Sequence, residues 1–163
     1  MTATTERSWH IGDYHPLAWA ETAVKTLAFV VAYVAFVHAL DRGLHSPSRV
    51  RIAELALLGL AEVGILLAIV DRVLERELIA VGFAVLNNAA HASMLYALLA
   101  IPGPGGLLSL FCALMLGGEV IKLRWLHKER PTLRQIGLMA AQAFVVAYAA
   151  IYLIALVFWE FAT

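Results

Sequence analysis

Apolar residues gather into five long blocks along this chain, covering about 22–40, 52–70, 78–101, 107–123 and 132–161. Short polar, glycine-bearing or proline-bearing breaks separate them. Every block reaches the roughly 17–25 residues that an α-helix needs to cross a bilayer. None shows the strict alternation of a half-buried strand. The pattern predicts an all-α integral membrane bundle of five transmembrane helices.

The breaks fit that division. Asp41-Arg42-Gly43 closes the first block, and Gly43 suits a helix C-terminal cap. Ser46-Pro47-Ser48 reads as a turn followed by a helix start. Asp71–Glu77 is charged but holds no glycine or proline. An unbroken helix over 52–101 would be ~75 Å long, so the chain must reverse there. Pro102-Gly103-Pro104-Gly105-Gly106 is an uncharged tight turn. No Lys-Ser/Thr pair follows it, which excludes a phosphate-cradling loop. Arg124–Arg134 is the main basic loop, and Pro131 suits the first turn of the fifth helix.

Residues 1–21 form an expected interfacial arm, ahead of a single membrane domain over 22–163. Trp9, Tyr14 and Trp19 are spread among polar residues, as befits headgroup depth. No apolar core follows a basic start, so the arm does not read as a signal peptide. Lys25 is close enough to the expected start of the first helix to snorkel.

Composition strengthens the membrane reading. The chain is 62% hydrophobic and 15% charged, with mean hydropathy +0.81; soluble domains carry about a quarter charged residues. The expected location is the cell membrane, as a multi-pass protein. Zero net charge gives no reason to expect a nucleic-acid partner. The single cysteine, Cys112, excludes an intrachain disulfide and any cysteine-based metal centre within one chain.

Lysine and arginine also set an expected orientation. With the N-terminus inside, Arg7, Lys25, Arg72, Arg76, Lys122, Arg124, Lys128, Arg130 and Arg134 lie on the inner side. Only Arg42, Arg49 and Arg51 lie outside. The C-terminus is then outside.

Candidate chemistry centres on the third block, where Asn87, Asn88 and His91 interrupt an uncharged span. At 100° per residue they fall within an arc of about 100°, a single polar stripe. Lipid cannot satisfy such a stripe. Antiparallel helices joined by short turns place residues equidistant from a turn at equal depth. By that rule Tyr33, Glu62, Asn87, Asn88, His91, Glu119 and Gln142 share one layer. Glu62 and Glu119 are expected to be protonated, bonded to amides or paired with His91, with Lys122 a second partner for Glu119. The layer reads as a proton-, ion- or ligand-binding site; a purely structural hydrogen-bond cluster is the competing reading. His38 and Glu54 fall together nearer the outer face.

No metal or cofactor is expected. His10, Asp13 and His15 read as surface residues, and Gly43 breaks the helical spacing of His38, Asp41 and His45. Bis-histidine haem would need His91 and His38, which lie about two helical turns apart in depth. No nucleophile accompanies the acids, so no catalytic residue is assigned and the chain reads more as a non-enzyme. The leading expectation is a small proton- or ion-coupled transporter or channel acting as an oligomer. The alternative is an accessory or anchoring subunit of a larger energy-transducing membrane complex. Partners are therefore the lipid bilayer and either further copies or other membrane subunits. Ala140, Ala143, Ala147 and Ala150 form a small-residue line on the fifth helix, expected to pack within the chain. Tyr148, Tyr152, Phe158 and Trp159 are expected to form an aromatic belt at its end.

The orientation is checked by cysteine labelling after Cys112 is replaced. A cysteine at Ser48 should react with an impermeant maleimide in intact cells. One at Lys128 should react only after permeabilisation, and the reverse pattern refutes the assignment.

Overall fold

The computed structural model of the chain describes residues 8–9, 11, 14–101, 105–128 and 135–161. It contains five helices: α1 (Pro16–Leu40), α2 (Arg49–Glu75), α3 (Leu78–Ala100), α4 (Gly106–Lys128) and α5 (Gln135–Phe161). All five are long and apolar enough to cross a membrane. The described residues thus form the all-α membrane bundle that the hydrophobic blocks imply.

Helix ends differ from the expected ones where polar side chains cap or extend a helix. α1 begins at Pro16, six residues earlier than expected. Proline occupies its first turn, and the His15 side chain accepts from the Leu17 N–H at 3.1 Å. His15 is therefore a cap. His10 and Asp13 lie outside the described residues. α2 starts earlier, with Ser48 as its N-cap. It continues through the charged break to Glu75, where Arg72 pairs with Glu75 at 2.6 Å. The reversal falls on Arg76, which adopts the left-handed region at φ 57. A non-glycine residue there is uncommon, which is why composition did not reveal the turn. α4 extends into the basic loop as far as Lys128. Gly43 takes φ 66, two residues past the α1 cap at Asp41. The turn at 102–104, with Pro131 and Thr132, lies outside the described residues.

Sequence neighbours are not always spatial neighbours. α1 packs along α3 and α4, α4 along α5, and α2 along α3, with a shorter contact between α2 and α5. The helices close into a ring in the order α1, α3, α2, α5, α4. α1 and α3 run parallel: Trp19 meets Phe83 near their starts and Phe36 meets Tyr96 near their ends. The ring interior holds Leu58, Met94, Phe111, Met115 and Tyr152, all within 1% of full burial.

Two features allow the tight packing. Ala28, Ala32, Ala35 and Ala39 form one buried line on α1, so α3 and α4 approach its backbone closely. On α2, Gly64 leaves room for α5: a Cβ there would collide with the Tyr148 hydroxyl and the Phe144 ring. The Tyr148 hydroxyl donates to the Ala61 carbonyl at 2.6 Å. The outer surface is apolar instead of polar, with Val30, Val37, Leu60, Val63, Leu67, Val70 and Phe158 exposed. That inversion is the surface a lipid solvent requires.

The expected packing of the second alanine line is not found. Ala140, Ala143, Ala147 and Ala150 are exposed on α5, facing away from the other four helices. The inner face of α5 is instead Val145, Tyr148, Tyr152 and Ala155. Tyr148 and Tyr152 are therefore core residues and not part of an aromatic belt, although Phe158 does face outward.

Gly64→Val should overpack the α2–α5 contact and cost about 1–3 kcal/mol. Gly59→Ala has open space around its Cβ. It should be neutral or stabilise by up to about 1 kcal/mol through helix propensity. Denaturant titration in detergent micelles measures both; equal effects would show that α2 does not meet α5 at Gly64.

Candidate functional site

The polar groups expected in one layer separate into three clusters. The first is an ion-pair network. The Lys25 ammonium lies 2.5 Å from Glu119 Oε1 and 2.8 Å from Glu21 Oε1. Lys122 approaches Glu21 at 3.8 Å. The Lys25 side chain is 12% exposed and that of Glu119 5%. Two acids and two bases leave the cluster neutral overall. Lys25 does not snorkel as expected: with α1 starting at Pro16, it sits about 14 Å into the helix. Gly118 makes room for it, since a Cβ there would lie 3.0 Å from Lys25 Cε. Lys25 and Glu21 were the missed members, and their signal was a lone cation followed along the chain by an apolar span. Lys122 was the candidate partner for Glu119, but it approaches Glu21 instead.

The second cluster centres on His91, which is 1% exposed. Its Nδ1 lies 2.9 Å from the Asn87 carbonyl oxygen. A carbonyl can only accept, so Nδ1 carries the hydrogen. The other ring nitrogen, Nε2, meets the Tyr152 hydroxyl; in neutral imidazole it accepts from the phenol. Phe111 packs edge-on against the imidazole, with ring centroids 5.4 Å apart. His91 pairs with neither Glu62 nor Glu119. Tyr152, which reads as part of a belt in the sequence, is its partner.

The third cluster lies on the seam between α2 and α3. Asn88 Nδ2 donates to Glu62 Oε1. Glu62 Oε2 and Asn87 Oδ1 are buried and have no hydrogen-bond partner. Tyr148, on α5, donates to the Ala61 carbonyl, one residue before Glu62. The shared depth inferred from the turns is thus compatible with the contacts, while the sides of the bundle were not foreseen. α1 intervenes between α3 and α4, so Glu119 meets Lys25 and not the asparagines.

The remaining two expected members stand apart. Tyr33 is 53% exposed and lies against Phe29 and Phe36 on the outer face of α1. Gln142 is half-buried and joins none of the three clusters among the described residues. Glu54 pairs with Arg51 at 3.3 Å, and not with His38. Among the described residues no group of three His, Cys, Asp or Glu side chains is placed to hold a metal ion. Outside the spans, Tyr14 donates to Glu77 at 3.4 Å. Partial burial and that carboxylate push its phenol above the usual range. No family model, curated protein or solved structure matches this chain.

Breaking the Lys25–Glu119 pair from one side should cost about 3–5 kcal/mol, because it strands a buried charge. Lys25→Met together with Glu119→Met should cost much less than the sum of the two single changes. A double-mutant cycle on denaturant stability measures this; additivity would show that the pair is not coupled.

Proposed function

We propose that this small polytopic membrane protein carries a proton-exchanging site at Glu62 and uses it to couple movement of a small solute or ion across the bilayer. The carrying observation is the buried Oε2 of Glu62, which has no hydrogen-bond partner. Buried polar atoms in a native protein nearly always have a partner. A donor at this seam, a proton on the carboxyl group or a small cation, would satisfy what the protein leaves open. One carboxylate with a single amide N–H donor on its other oxygen suits a proton or a monovalent cation better than a divalent ion. Glu62 is only partly buried on the flank of α2, so exchange does not require opening the ring. The ring interior is filled by large side chains, which points to a path along the α2–α3 seam.

A second reading has its own observation. The alanine line on α5 faces outward, and such lines let another helix approach closely. This favours assembly, either as a homo-oligomer or as an accessory subunit within a larger complex.

Reconstitution into liposomes with a pH-sensitive dye tests the first reading. The wild-type protein should dissipate an imposed pH gradient, and Glu62→Gln should slow this at least tenfold without lowering thermal stability. Equal rates would remove Glu62 from the mechanism. Ala143→Leu with Ala147→Leu should leave the monomer's stability intact and reduce oligomer size if the line joins copies. Unchanged size together with loss of co-purifying subunits would favour the accessory role.

A further inference from the structure

A cavity of about 370 Å³ lies at the end of the bundle away from the Lys25 cluster, where α1 and α3 finish and α2 and α4 begin. Its walls combine two chemistries. Met94, Leu98 and Leu108 form an apolar side, while His38, Arg42 and Arg51 supply cationic or hydrogen-bonding groups. No acidic side chain lines it among the described residues. Arg51 is 7% exposed. Its guanidinium is held by Glu54 at 3.3 Å and by the Ile101 carbonyl at 3.4 Å. Both contacts fix the guanidinium at the cavity wall. Glu54 itself does not line the cavity. Arg42 is exposed and adds a positive charge without a carboxylate in that wall.

We infer that this cavity binds an anionic amphiphile, with its carboxylate or phosphate between Arg42 and Arg51 and its alkyl chain against Met94, Leu98 and Leu108. Three features support this. A buried arginine oriented by neighbours is suited to planar, bidentate recognition of a carboxylate or phosphate. The volume falls in the range of small-molecule sites, and the lining is mostly apolar with a few convergent polar groups. The site also lies at a helix-terminal level, where a headgroup sits in water-accessible surroundings and a chain lies in apolar ones. Snorkelling alone does not explain it, because Arg51 is buried while its immediate neighbours Arg49, Val50, Ile52 and Ala53 are exposed.

The test uses the full chain in neutral detergent and native mass spectrometry with four probes: oleate, oleoyl lysophosphatidate, mono-olein and inorganic phosphate. At least one anionic amphiphile should bind tenfold or more tightly than mono-olein. Preference for lysophosphatidate identifies a phosphate headgroup as the source, and preference for oleate a fatty carboxylate. Inorganic phosphate binding as tightly as lysophosphatidate would overturn the amphiphile assignment, and equal binding of charged and neutral amphiphiles would overturn the anion assignment. Arg42→Gln, at an exposed position, should reduce the preference for anions at least threefold with the melting temperature unchanged. Ala97→Phe, which fills the cavity from its wall, should abolish binding of every amphiphile; retained binding in that variant would place the ligand elsewhere. Loss of proton flux in Glu62→Gln with intact amphiphile binding separates this site from the transport reading.

Discussion

The arrangement of the bundle depends on neutralising one buried ammonium. Lys25 projects from α1 well inside an apolar helix, where an isolated charge costs several kcal/mol. Glu119 on α4 and Glu21 on its own helix offset that cost at 2.5 and 2.8 Å. The contact fixes both the rotation of α1 and its partner. α4 must present Glu119 to α1, and Gly118 must be small enough to admit the lysine stem. With that setting, the buried alanine line of α1 meets its neighbours, and α1 occupies the place between α3 and α4. The opposite side of the molecule holds its own polar contacts. α3 is turned toward α2, which brings Asn88 to Glu62, and His91 is turned inward to Tyr152.

How much of this was legible follows from what each signal encodes. Hydrophobic block length reports membrane crossing directly, because the bilayer sets a minimum span; all five helices were visible on that ground. Caps were partly legible: Ser48 closes a turn that was read as a helix start, whereas Pro16 fell within the expected interfacial arm and Arg76 turns the chain without a residue that advertises a turn. Depth was partly legible as well, since turn positions fix it to about one helical turn. Glu62 and Asn88 were placed in one layer on that basis, with Asn88 opposite Glu119; the hydrogen bond of Asn88 goes to Glu62 instead. Azimuth was not legible. Equal distance from a turn says nothing about which helix lies beside which. The turn rule also assumes that consecutive helices pack side by side, an assumption that fails for α3 and α4.

The two alanine lines show the same limit. Both have the spacing that permits close helix approach. On α1 the line is buried and on α5 it is exposed. What distinguishes them is the rest of each helix. α1 carries a charge that requires a protein partner, which draws its small-residue face inward. The opposite face of α5 holds Tyr148 and Tyr152, whose hydroxyls are satisfied only inside the ring by Ala61 and His91. Buried phenols need partners, so the tyrosines take the inner face and the alanines are left outside. Polar satisfaction decides the rotation of both helices, and small-residue spacing follows from it.

The same criterion sorts the buried polar groups into structural and functional candidates. Lys25, Glu21 and Glu119 complete one another, and Lys122 approaches Glu21. His91 has a partner on each ring nitrogen. These two clusters have the closed character of groups that hold a bundle together. The α2–α3 seam does not, because Glu62 Oε2 and Asn87 Oδ1 remain open acceptors. An open acceptor in apolar surroundings carries a standing desolvation cost, and an exchangeable donor is what lowers it. Glu21 and Glu119 are held in ion pairs with Lys25, whereas Glu62 has a single amide donor, Asn88. The distinction rests on unpaired atoms and not on burial alone, since His91 and Glu119 are the more buried residues.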